Sequence, residues 1–150
     1  YKLNHNSTAL EILEQAASII AERFSRGELL SCPSDVKEFL TYKLGGYERE
    51  VFSIILLDNQ NRLIEYKELF YGTINSSTVY PREIIKAVIG ANAAAVIFAH
   101  NHPSGGSTPS TQDICLTEKL KGILNMIDVQ VLDHFVVGED CCSFAERGLI

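Results

Sequence analysis

The sequence predicts an α/β fold, a single domain in which a mixed β-sheet is flanked by helices. Two apolar runs, 51–57 and 93–99, are too short for helices and rich in β-formers, so they read as buried strands. Between and around them lie stretches with helical periodicity, opened by capping residues and closed by glycine. With 150 residues, 46% of them hydrophobic, the chain can fill one core and is too short for two ordinary domains. Its length holds no internal repeat, low-complexity tract or linker.

The elements follow in order. Thr8-x-x-Glu11 is a capping-box pattern ahead of Leu10, Leu13, Ala17, Ile20 and Phe24, with Gly27 as the stop. This predicts an amphipathic helix packed across the domain or against a partner. Pro33-Ser34-Asp35 opens a second helix, with Val36, Phe39, Leu40 and Leu44 on one face and Gly45-Gly46 at its end. The run 51–57 and the segment 62–70 flank the turn Asp58-Asn-Gln-Asn61, which makes a hairpin with a fully buried first strand and a more alternating second. Residues 76–80 read as another short extended piece. Pro81-Arg82-Glu83 then starts a helix to about Ala91, with proline in its tolerated first turn. After the strand 93–99 comes a Pro/Gly/Ser loop and a helix from Ser110 to about Asn125. Strands at 129–137 and 141–144 end the chain.

The stretch 99–113, AHNHPSGGSTPSTQD, carries the chemistry. His100 and His102 lie two apart on extended chain, so their imidazoles point the same way while Asn101 faces away. Asp113 lies in the first turn of the following helix, where its carboxylate can be aimed back at the pair. Two neutral imidazoles and one carboxylate make a three-ligand zinc site with its fourth position left for water, as in catalytic rather than structural centres. Such a centre makes water acidic enough to yield a nucleophile near neutral pH. Each part has a plainer reading: Ser110-x-x-Asp113 is also a capping box, and a lone His-x-His is also an ordinary surface pair.

Joined in this order, HNHPSG, then TPS, then Asp, the string resembles the His-x-His-x7-Ser-x-x-Asp signature of the JAB/MPN/JAMM metalloproteases, and within them the RadC branch. The letters HNH do not indicate an HNH nuclease, whose residues are spread through a separate ββα unit. The resemblance implies a JAB/MPN fold similar to that of cytidine deaminases over residues 31–150, with residues 1–30 as an N-terminal helix outside the catalytic core. It implies that His100, His102 and Asp113 hold one zinc per chain. It also implies a general base entering the first core strand, which matches Glu50; Glu48, on the same face, is the rival. Ser110 would donate to a developing oxyanion. Asp133-His134 lies in an apolar strand, and His134 is taken as a supporting group beside the metal rather than a ligand. Pro81, Arg82, Glu83 and Ser104 also resemble residues of the RadC branch; Arg82 would line the cleft or anchor a substrate carboxylate.

The function so implied is a zinc-dependent hydrolase of a peptide, isopeptide or other amide bond, acting on a protein or peptide. A zinc nucleobase deaminase fails on ligands, because H-x-E with P-C-x-x-C is lacking. The alternative is a non-catalytic metal-binding module associated with DNA repair, as the RadC label suggests. The charge does not support it: 13 basic against 19 acidic residues leave a net charge of −6, without the clustered Lys and Arg that grip phosphates. Cys32, Cys115, Cys141 and Cys142 form no C-x-x-C pair, so a cysteine zinc site or a thioredoxin-like motif finds no support. Cys141 and Cys142 are expected as reduced, partly buried strand residues. No apolar run reaches membrane-spanning length and no signal core opens the chain, so a reduced cytoplasmic setting is expected. The chain begins at Tyr1 rather than Met, which leaves room for residues or a further domain ahead of it. The first helix is available for a homo-oligomer.

Overall fold

The computed structural model describes residues 8–23, 27, 29–30, 32–75 and 77–150. Nine elements follow in chain order: α1 (Ala9–Arg23), α2 (Pro33–Leu44), β1 (Val51–Leu57), β2 (Leu63–Tyr71), α3 (Pro81–Gly90), β3 (Ala95–Asn101), α4 (Thr111–Asn125), β4 (Gln130–Val137) and β5 (Cys141–Ser143). The strands form a mixed sheet of order β2-β1-β3-β4-β5. Only β3 and β4 are parallel, joined by α4 as the crossover; the other neighbours are antiparallel. This is the predicted α/β architecture.

Helices on both faces explain why β1 is apolar at every position but Ser53. Phe52, Ile54 and Leu56 point into a core roofed by Ile84 and Val88 of α3 and by Leu116, Leu120 and Leu124 of α4. Val51, Ile55 and Leu57 point the other way, into a core shared with Val36, Phe39, Leu40 and Leu44 of α2 and with Phe135 of β4. All seven residues of β1 are buried. A strand covered on both sides loses the polar alternation of a half-exposed one.

The β1–β2 hairpin closes on the predicted turn. Asp58 Oδ1 accepts from the amides of Gln60 at 2.8 Å and Arg62 at 2.9 Å, and Asn61 takes a left-handed conformation with φ of 59°. The capping box of α1 also forms, through Thr8 N to Glu11 Oε2 at 2.8 Å and Glu11 N to Thr8 Oγ1 at 3.4 Å.

Three expectations need correction. The strand placed at 93–99 runs from Ala95 to Asn101, because the parallel register with β4 continues through His100↔Val136 and Asn101↔Val137. His100 is therefore inside the strand rather than at its exit. The extended piece at 76–80 is not a strand: Asn75 Oδ1 accepts from the amides of Ser77 at 2.9 Å and Thr78 at 3.1 Å, and folds the segment into a turn. Ser76 lies outside the described residues. On α1, Leu10 and Leu13 are exposed, at 67% and 65%, so of the two expected placements the one across the domain is not the one these side chains take. Ala17 is half-buried; the side chain of Ile20 and all of Phe24 lie outside the described residues. Among the described residues no helix is long and apolar enough to cross a membrane.

Candidate metal centre

His100, His102 and Asp113 meet where β3 ends and α4 begins. His100 is 1% exposed and His102 half-buried, while Asp113 is 4% exposed although it opens a helix. The two Nε2 atoms lie 3.0 Å apart. Asp113 Oδ1 is 3.2 Å from His100 Nε2, and its Oδ2 is 3.3 Å from His102 Nε2. Three electron-pair donors thus converge on one small space.

Backbone geometry puts them there. Ser110 is the N-cap of α4 with an extended backbone, and its Oγ accepts from Asp113 N at 3.1 Å. Asp113 Oδ2 in turn accepts from Ser110 N at 2.7 Å. The capping box and the candidate ligand role therefore coexist on Asp113: Oδ2 closes the box and also lies against His102, while Oδ1 faces His100.

His102 is held from behind. Its Nδ1 donates to Gly106 O at 2.8 Å; a carbonyl only accepts, so the neutral ring carries its proton on Nδ1 and keeps the Nε2 lone pair for the site. His102 N donates to Val137 O at 2.8 Å, which ties the residue to the end of β4. The loop beneath it is braced by the β4–β5 turn: Glu139 N donates to Gly105 O at 2.7 Å, and a Cβ on Gly138 would stand 2.5 Å from that same oxygen.

Charges and protons follow this geometry. Burial alone would raise the Asp113 carboxyl, but the two imidazoles beside it and the Ser110 amide outweigh burial and hold the group below the usual carboxylate range. The Asp113 carboxylate is the main cause raising His102. His134, wholly buried, is pushed well below the ordinary imidazole range by desolvation. Its Nε2 lies 2.8 Å from His100 Nδ1, so it touches a candidate ligand and is not one of the three.

Glu50 lies just before β1. The β1–β3 register ends with Phe52 opposite His100, two residues past Glu50, and the Glu50 charge is among the influences that raise His102. Glu50 is half-buried and its Oε2 accepts from Ile74 N at 2.5 Å, whereas Glu48 is exposed. Ser110 is exposed beside the carboxylate. Arg82 projects from the start of α3 with its side chain 87% exposed, 3.9 Å from Glu83. Between the turn after β2 and the first turns of α4 lies a cleft of about 360 Å³ lined by Asn75, Ser77, Thr111, Gln112 and Cys115.

The sequence reading missed the work of Asn101. Facing away from the histidines as expected, its Oδ1 accepts from Val51 N at 2.7 Å and its Nδ2 donates to Arg49 O at 3.0 Å. It clasps the backbone on both sides of Glu50. A polar residue alternating with two histidines in a buried strand was the available signal.

With this geometry in place, the model of the RadC-like JAB domain matches residues 30–149. The chain belongs to the RadC-like JAB domain family. It is 63% identical over 138 residues to a UPF0758 protein of Vibrio cholerae serotype O1, covering 92% of this chain and 88% of that one. A second UPF0758 protein of the same organism is 51% identical over 148 residues, covering 99% and 94%. A UPF0758 protein of Pseudoalteromonas translucida is 52% identical over 140 residues, covering 93% of this chain and 62% of its own length. The chain thus spans nearly all of some family members and about three fifths of others.

Proposed function

We propose that this JAB domain is a zinc-dependent hydrolase of peptide, isopeptide or other amide bonds. The observation that carries the reading is the convergence of two imidazole nitrogens and a carboxylate, 3.0 to 3.3 Å from one another. Zinc–ligand bonds of about 2.0–2.1 Å at tetrahedral angles set neighbouring ligands about 3.3–3.4 Å apart. The spacing of His100, His102 and Asp113 therefore suits that ion, and two histidines with one carboxylate are a catalytic rather than a structural set. When bound there, zinc supplies Lewis acidity to water and to a substrate carbonyl.

The side chains divide the remaining work. Glu50 takes the proton of the attacking water and delivers it to the leaving amine. Ser110 Oγ, fixed by accepting from Asp113 N, retains its own hydrogen and donates it to the oxyanion of the tetrahedral intermediate. Asn101 holds the backbone that carries Glu50. A protein or peptide chain is the substrate class that fits.

Metal content and cleavage of a peptide library test the reading together. Wild type should hold one zinc per chain, and His100→Ala and Asp113→Ala should hold none. Glu50→Gln should keep its zinc and lose roughly 10²–10⁴-fold in cleavage rate. Full metal content in both ligand variants, or unchanged cleavage by Glu50→Gln, overturns it.

A further inference from the structure

We infer that the Thr117 hydroxyl, acting through His134, keeps the site-facing nitrogen of His100 free of a proton and so sets the affinity of the site for zinc. Thr117 and His134 are positioning residues in this account, which rests on the metal-site reading above.

The direction of each hydrogen bond can be worked out from one end. Thr117, in the second turn of α4, lies 2.7 Å through Oγ1 from Asp113 O. A carbonyl oxygen only accepts, so the single hydroxyl hydrogen of Thr117 is committed to it. The same Oγ1 lies 2.6 Å from His134 Nδ1. With its hydrogen used, the hydroxyl can only accept there, so His134 Nδ1 carries the proton. His134 Nε2 then presents a lone pair to His100 Nδ1 at 2.8 Å, and His100 must donate. His100 Nε2, the atom 3.2 Å from Asp113, is left unprotonated.

The relay begins and ends on metal ligands. It starts at the backbone of Asp113, whose carboxylate faces the site, and finishes on the ring of His100. Thr117 is 1% exposed and His134 is 0% exposed, so water does not compete for these groups. The ring of His134 stacks on Phe144 with centroids 4.6 Å apart and meets Phe52 and Phe98 edge-on at 5.7 and 6.0 Å. Those rings hold it in plane and offer no alternative acceptor for its proton. Without the hydroxyl, His134 is free to carry its proton on Nε2; it would then donate to His100 Nδ1 and drive the His100 proton onto the atom needed for the ion. Outer partners of metal-bound histidines are typically worth roughly 10–100-fold in metal affinity.

The test uses Thr117→Val, which keeps the shape and removes the hydroxyl, and Thr117→Ser, which restores it. Zinc affinity is measured by chelator competition, and the imidazole tautomers are read from long-range nitrogen–proton NMR spectra of the zinc-loaded wild type. Thr117→Val should bind zinc roughly 10–100-fold more weakly, Thr117→Ser should recover most of the loss, and wild-type His134 should carry its proton on Nδ1. Zinc binding by Thr117→Val equal to wild type, or a proton on His134 Nε2 in wild type, overturns the inference while leaving the hydrolase reading intact. Failure of wild type to bind zinc overturns both. Should Thr117→Val not fold, the wild-type tautomer and the Thr117→Ser affinity decide.

Discussion

Asn101 shows how much a single amide does at this site. Its two bonds hold Val51 N and Arg49 O, and thereby the backbone of the candidate base between them. Truncating it leaves the buried Val51 amide without its partner, which costs about 1–3 kcal/mol for an unsatisfied group. Asn101→Ala should therefore keep its zinc, lose stability of that order in denaturant unfolding, and cleave more slowly than wild type. Retained cleavage at full rate would separate Asn101 from Glu50. At this scale much was legible: the two-residue periodicity aimed His100 and His102 together, and Ser110-x-x-Asp113 located the carboxylate. The capping box and the ligand arrangement looked like rivals because sequence shows one side chain and one pattern at a time. Asp113 has two oxygens, and it uses them for both.

Among the elements, the loop between β3 and α4 depends on a neighbour distant in sequence. Gly138, in the β4–β5 turn, presses against Gly105 and Gly106, and Gly106 O orients His102. A methyl at residue 138 would meet backbone rather than a yielding side chain, so the metal loop must shift. Gly138→Ala should weaken zinc binding while leaving far-ultraviolet circular dichroism unchanged; a zinc affinity equal to wild type would show that the loop gives way without moving His102. Periodicity could not have revealed this brace, since a glycine in a turn looks the same whatever it touches. The parallel pairing of β3 with β4, which brings His134 beside His100, was equally hidden. The elements themselves were plain from their composition, apart from the strand end at Asn101 and the segment after Asn75. There the side chain of Asn75 collects the amides that an extended reading left for a sheet.

The whole molecule sorts its four thiols by environment. Cys32 is exposed at the start of α2, and its hydrogen bond with Ser34 lowers its pKa from the ordinary 9.0. Burial pushes Cys141 up to about 12. At mildly alkaline pH a thiol reagent should modify Cys32 well before Cys141, as followed by mass spectrometry of the intact and digested protein; modification of Cys141 first would contradict the packing around β5. Folded Cys141 keeps a proton that the unfolded thiol releases near 9.0, so its contribution is lost as pH rises from 9.0 towards about 12. At this scale the fold class was legible because helices on both faces of the sheet leave β1 and the first five residues of β3 almost wholly apolar. The exposed Leu10 and Leu13 of α1 were not, because periodicity reports an apolar stripe but not what covers it.

All three candidate ligands fall between residues 100 and 113, on one strand end, one loop and one helix start. Contacts so near in sequence close quickly, since little loop entropy is lost in bringing them together. The three groups are thus gathered within fourteen consecutive residues, and the rest of the fold has only to hold the segment in place.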